Sequence, residues 1–554
     1  MAASNFSVDG NVVDIVGRKT YPARVEVKDD RIQSIAPIST RPTTYLLPGF
    51  IDAHIHIESS MLVPSEFARA AVVFGTVATV SDPHEIGNVL GVAGVRYMLE
   101  NAAKVPLKFN FGAPSCVPAT TFETAGAEIS VAEVAELLDD PRIRYLSEMM
   151  NFPGILHGDP ACLAKVKAAH DRGKPVDGHA PGLRGADAAR YIAAGITTDH
   201  ECFTKEEALD KLAAGCKIII REGSAARNFD ALVTLLGEYP GKTMLCSDDK
   251  HPDELLEGHI DRLVRRAVER GINVYDALLA ACIVPIEHYK LDVGRLRIGD
   301  PADFIEVDSL KEFNVLRTWI DGRLVAERGT TTISRVDVPV VNKFVADKVL
   351  AADFAVVAPT KATAKLQVIE ALDGQLITNR LELPPRVQNG FVVSDVGNDV
   401  LKLVVVNRYS KSPPAVAFIK NFGLQRGAMA SSVAHDSHNV IAVGVEDADI
   451  VAAVNLVMEA GGGLSAACTA ERVAAVQPLP VAGLMATGTC QEVGEAYGKL
   501  DKLVKGWGSH LRAPYMTLSF MALLVIPALK LSDKGLFDGA QFEFTELLNQ
   551  YCHR

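Results

Sequence analysis

No two cysteines in this 554-residue chain are spaced C-x-x-C, no uninterrupted apolar run reaches 18 residues, and lysine and arginine are not in excess. Each absence excludes something. The nine cysteines stand singly (Cys116, Cys162, Cys202, Cys216, Cys246, Cys282, Cys468, Cys490, Cys552), as reduced thiols do in a cytoplasmic protein, so no disulfide framework is expected. The most apolar segment, MTLSFMALLVIPAL at 516–529, is too short to span a bilayer and contains Pro527, and is read as core. The opening residues show no basic stretch followed by an apolar one, so no export signal is read. A net charge of −12 and a pI near 5.7 argue against coating nucleic acid or an anionic membrane. The expected partners are a small-molecule substrate and further copies of the chain, as a homo-oligomer.

A chain of this length needs more than one core. Residues 9–47 alternate in short β-like runs, and the same texture returns in RIGDPADFIEVD (297–308) and TWIDGRLVAERG (318–329), where Asp321-Gly322 favours a tight hairpin. Two similar segments flanking a long block point to a discontinuous β-sandwich, 1–45 with 291–340. The block between, 46–290, carries eight apolar runs that end in polar residues: GFIDAHIH, TVATVSDPHE, LKFNFGAPS, IRYLSEMMN, PVDGHAPG, GITTDHECF, CKIIIREGS and KTMLCSDDKH. Helical patterns such as VAEVAELLDD and KEEALDKLAAG separate them. The class is α/β: a (β/α)8 TIM barrel inserted in the sandwich, followed by a C-terminal α+β domain at 341–554.

In such barrels chemistry gathers at the C-terminal strand ends. There the runs bring His54 and His56, which share a strand face because they are two apart, with Glu148, His179, His200 and Asp248. Each alone has a plain explanation as a helix cap, turn residue or solvated strand end. Together, four imidazoles and two carboxylates suit two divalent ions, with Glu148 as the bridge, making the barrel metal-dependent.

The opening PGFIDAHIH, the histidines of strands 5 and 6, the Asp of CSDD and the later GDPAD resemble the amidohydrolase superfamily. Within it, PGFIDAHIHIESSML, VSDPHEIGNVLG, SEMMNFPG, DGHAPGL, TTDHECF, REGSAARN, CSDDKHPDELLEGHID and AHDSHNVI resemble the adenine deaminase family over nearly the whole chain. Two departures from commoner superfamily patterns sharpen the likeness. Glu148 stands where a carbamylated lysine would be sought, and His179 is followed by Ala180-Pro181-Gly182 in place of an H-x-x-E shuttle.

The resemblance implies hydrolytic deamination of adenine to hypoxanthine and ammonia, in purine salvage, by a metal-bridged hydroxide attacking C6. It implies manganese before iron, with zinc less favoured; residue chemistry alone says only divalent. Asp248 is expected to take and return the proton. Asp82, His84 and Glu85 of SDPHE are expected to serve the ring nitrogens in place of the missing shuttle, His84 and Glu85 as catalytic groups. Ser224, Arg227, His251, His435 and His438 are further candidates for substrate contact, the last two as a cap on the barrel mouth. The alternatives are a related hydrolase opening a cyclic amide or removing an acetyl group, and an inactive barrel scaffold.

Overall fold

The computed structural model describes residues 5–345, 347–361 and 363–549. Near the N-terminus, β1 (Phe6–Asp14), β2 (Lys19–Lys28) and β3 (Arg31–Pro37) form an antiparallel meander. Its buried residues Val8, Val12, Ala23, Val25 and Val27 recur at the two-residue period of a strand with one covered face. β4 (Tyr45–Pro48) then pairs parallel with β1.

The barrel follows as β5 (Phe50–Ile55), β6 (Thr76–Ser81), β7 (Lys108–Ala113), β8 (Ile143–Met149), β9 (Val176–Gly178), β10 (Thr198–Asp199), β11 (Lys217–Arg221) and β12 (Thr243–Cys246). Each corresponds to one of the eight runs. Continuous parallel ladders join β5 through β9 and β10 through β12. Single main-chain bonds close the two seams: Thr197 N to Val176 O at 2.8 Å, and Asp248 N to His54 O at 3.0 Å. β5, β6 and β12 are buried at every residue, as strands covered on both faces must be.

Helix starts follow their capping residues. Ser130 and Glu133 form a capping box at helix Val131–Asp139, Asp159 caps Pro160–His170, and Thr204 caps Lys205–Ala213. The helical pattern at 230–239 resolves into two short helices, Phe229–Leu232 and Leu235–Glu238.

After the barrel the chain adds β13 (Phe304–Val307), β14 (Val315–Ile320), β15 (Arg323–Glu327) and β16 (Thr330–Thr331) to the first sheet, in the order β16-β15-β14-β13-β4-β1-β2-β3. Because β4 lies between β13 and β1, the sheet runs through Pro48, past the boundary expected at residue 45. The sheet curls onto itself: Ile32 N donates to Asp300 O at 3.0 Å, and Phe6 stacks on Trp319 with centroids 5.9 Å apart.

The C-terminal region is built on a nine-stranded, mostly antiparallel sheet. In its central strand Val400–Val406, Leu401, Leu403 and Val405 face the barrel core, while Val404 and Val406 face helix Asp447–Glu459. That alternation fastens the region to the barrel on one face and to its own helix on the other. The segment 516–529 is buried except at Val525, Pro527 and Ala528. Eight cysteines are buried free thiols, and Cys552 lies outside the described residues. Among the described residues no helix is long and apolar enough to cross a membrane.

Candidate metal centre and pocket

The end of β5 turns His54 and His56 to one place, their Nε2 atoms 3.2 Å apart. The main chain there is pinned from behind. Buried Asp52 accepts from His54 N at 3.3 Å and Ser247 N at 3.0 Å, and His259 Nε2 lies 2.8 Å from its other oxygen. Since Ser247 precedes Asp248, one carboxylate fixes both strands that supply ligands across the β12–β5 seam.

Glu148, at the end of β8, faces both sides of the cluster. Its Oε1 lies 3.5 Å from His56 Nε2 and 3.6 Å from His84 Nδ1. Its Oε2 lies 2.8 Å from His179 Nδ1 and 3.0 Å from His200 Nε2. Asp248 Oδ1 sits 3.4 Å from His56 and 3.6 Å from His54, and its Oδ2 takes a bond from Arg221 at 2.6 Å. The Arg221 guanidinium also grips Glu201, whose Oε1 stands 3.4 Å from His200 and 3.5 Å from His179.

These donors fit divalent cations. Among the groups of buried ligand atoms that fall within 4.8 Å of one another are His54, His56 and Asp248; His54, Glu148 and His200; His179, His200 and Glu201; and His56, Asp82, His84 and Glu148. Nitrogen and oxygen donors without thiolate suit such ions. His54 Nδ1, His179 Nε2 and His200 Nδ1 are buried without a hydrogen-bond partner. Burial opposes charge on His56, His179 and His200, but the surrounding carboxylates outweigh it and hold all three above the usual imidazole range. Burial and the neighbouring imidazoles push His54 well down, into the neutral form that ligates. A cation here competes with the protons on the other three.

Beside this cluster lies a second. His84 Nδ1 is 3.2 Å from Asp82, and its Nε2 is 3.6 Å from Glu85 and 3.9 Å from Asp436. Glu85 is clasped from the C-terminal domain: His435 Nδ1 lies 2.5 Å from Oε1, and His438 Nε2 contacts Oε2. Burial raises the Glu85 pKa, but His435, His438 and His84 together hold it well below the usual carboxylate range. Burial lowers that of His84, yet Asp82, Glu85 and Asp436 hold it well above.

His56, His84, Glu85, Glu148, His179, His200, Asp248, Asp249, His435 and Asp436 line one pocket, roofed by Leu376, Phe520 and Leu523. Phe520 stacks on His435 at 4.8 Å. Asp82, His54 and His438 stand behind this lining.

Three candidates lie outside the pocket lining. Ser224 and Arg227 bond to Glu254, and Arg227 also to Glu222, so their polar atoms are spent sideways along the rim. His251 packs on Tyr497 at 4.6 Å, where burial pushes its pKa down to about 3. None of the three lines the pocket.

Glu201, Arg221 and Asp249 were not anticipated, although each lies within or directly beside a run already singled out, and Asp436 belongs to the AHDSHN element expected to cap the barrel mouth. Glu201 follows His200 in TTDHECF, and Arg221 ends the β11 run. Phe520 and Leu523 lie in the apolar segment 516–529 read only as core, and Leu376 carried no mark.

Residues 45–325 match the Amidohydrolase family, and residues 375–543 match the Adenine deaminase C-terminal domain. The chain is 57% identical over 545 residues to an adenine deaminase of Salinibacter ruber, covering 98% of this chain and 99% of that one. It is 50% identical over 548 residues to an adenine deaminase of Methanosarcina mazei, covering 97% and 98%. Among solved structures, a crystal structure of enamidase, a member of the amidohydrolase superfamily, matches with a TM-score of 0.45 at 16% identity, over 60% of this chain and 99% of that one.

Proposed function

The chain belongs to the adenine deaminase family of the amidohydrolases, and from that premise we propose how its residues share the reaction. The protein is an enzyme that hydrolyses adenine to hypoxanthine and ammonia. The observation that carries the reading of the site is Glu148, one oxygen turned to His56 and the other to His179 and His200, as a ligand shared between two cations would be.

His54, His56, Glu148, His179, His200 and Asp248 would hold two divalent ions, manganese first, iron next and zinc last. When bound, such ions lower the pKa of water towards ~7 and so supply a nucleophile at neutral pH. Asp248, which Arg221 keeps ionised against the pull of burial, accepts the proton that the attacking water sheds and passes it to the departing nitrogen. His84 is held in its charged form and donates to a ring nitrogen of the base. Glu85 keeps that charge in place, anchored by His435 and His438. Asp82 orients His84 through Nδ1.

We place this enzyme in purine salvage in the cytoplasm, as a homo-oligomer. We divide it into units 1–45 with 291–340, 46–290 and 341–554, the sheet of the first unit continuing through Pro48. The deciding experiment supplies adenine, adenosine and cytosine to manganese-loaded protein and measures ammonia. Release from adenine alone is expected; release from adenosine but not from adenine would overturn the choice of substrate.

A further inference from the structure

Lys530 lies in the strand Leu529–Ser532, outside the pocket lining and wholly enclosed. No carboxylate among the described residues offsets its burial, which alone pushes its pKa down to about 7. A lysine so placed costs stability unless its hydrogens are used. They are used on two carbonyls: Nζ donates to Leu376 O at 2.6 Å and to Phe520 O at 2.9 Å. Leu376 and Phe520 are far apart in sequence, yet both present their side chains to the same pocket.

The pocket between these side chains and the ligand cluster encloses about 20 Å³, room for roughly one water and far less than a purine. A planar base therefore enters only when the roof side chains give way, and the main chain behind them sets where they close on it. Thr378 also ties this region together, its hydroxyl donating to Leu529 O at 2.9 Å and its N–H to Pro527 O at 3.1 Å, but those bonds lie two residues beyond Leu376 and seven or more beyond Phe520. Among the described residues, the one side chain that bonds to the main chain of both is Lys530.

We propose that Lys530 is a positioning residue for substrate, fixing the apolar roof of the pocket by bridging the main chains of Leu376 and Phe520. This rests on the reading of the pocket as the adenine site. A neutral amine keeps two N–H donors, so the bridge holds in either protonation state. The role is therefore geometric. It belongs to binding of the base, which is common to ground state and transition state, and so acts on KM rather than kcat.

The test compares the full-length, metal-loaded wild type with Lys530→Met and Lys530→Gln. The readouts are adenine KM and kcat, bound metal and thermal midpoint. Lys530→Met should raise KM about tenfold or more while kcat stays within about threefold and bound metal is unchanged. Lys530→Gln, which retains a donor, should recover part of that loss. An unchanged KM, or a fall in kcat in step with lost metal, would overturn the proposal. Failure of both variants to fold would assign Lys530 to stability alone and overturn it equally. If wild type releases no ammonia from adenine, the reading of the site fails first and takes this proposal with it; wild-type turnover with an unmoved KM in Lys530→Met sinks this proposal alone.

Discussion

On the barrel side of the pocket, His54, His56, Glu148, His179, His200 and Asp248 stand at strand ends, fixed by main-chain ladders and by pins such as Asp52. The side facing them is assembled from Leu376, Phe520, Leu523, His435 and Asp436, which reach the pocket from loops and a short 3-10 turn of the C-terminal domain. One half is charged and held by hydrogen-bonded strands. The other is mainly apolar and held by a few side-chain bonds, Lys530 and the Glu85 clasp among them. The difference teaches where robustness lies: the proposed ligands are held by strand ladders and buried pins, whereas the roof is joined across the chain by a handful of bonds from Lys530 and Thr378.

The sharpest way to break the comparison is to remove the ions. Chelation should abolish ammonia release, and manganese should restore it with proton release on binding, followed by pH-stat titration. Stability should fall as well, by about 2.7 kcal/mol for each ion at 100-fold its Kd, seen in thermal melts. Loss of activity without loss of thermal midpoint would mean that the barrel half does not need its ions for rigidity.

Next in size is Asp248→Asn. Glu201 still holds Arg221 in this variant, so the site should stay assembled. Turnover should drop about 10²–10⁴-fold with most of the metal retained, checked by ammonia release and elemental analysis together. Substantial residual activity would remove Asp248 from the proton path.

Glu85→Gln attacks the seam between the halves. It removes the charge that His435 and His438 hold and that holds His84, and an activity loss of about 100-fold is expected. His435, pushed up to about 9 chiefly by Glu85 against the effect of burial, should then lose its proton at lower pH, visible by NMR. A His435 titration unmoved by the change would show that the clasp is not electrostatic.

Lys530 offers a smaller effect that sharpens the contrast. Its folded pKa, about 7, lies below the unfolded value, so between them the unfolded chain binds the extra proton. Wild type should therefore gain stability over Lys530→Met as pH rises from 7 to 9, by up to about 1.4 kcal/mol per unit. A flat difference would mean that the buried amine does not titrate there. Smallest of all, Ser224→Ala should leave kcat/KM within about twofold, because its hydroxyl serves Glu254 and not the pocket.

The barrel half was legible in the sequence for a physical reason. A parallel barrel spaces its strands by helices, so polar residues ending each apolar run mark one face without further information. His54 and His56 were placed by a two-residue period, and Glu148 by its strand end. Ser224 and Arg227 satisfy the same rule yet find partners sideways in Glu254 and Glu222, which the rule does not foresee. Arg221 and Glu201 went unread because an ion pair within a metal cluster leaves no periodic trace. The roof was illegible altogether: Leu376 and Phe520 look like any core residues, and only long-range closure of the chain brings them over the site. The clasp fell between these cases, as AHDSHN stood out in composition while its partner Glu85 was some 350 residues away.

That clasp also orders events in time. The seam that completes the ligand set closes at Asp248, whereas the histidines that seal its mouth belong to residues 435 and 438. At roughly 5 to 20 residues per second of synthesis, on the order of ten to forty seconds separate the two. Through that interval every side chain of the proposed ligand set has been synthesised, while the two histidines that cover it have not.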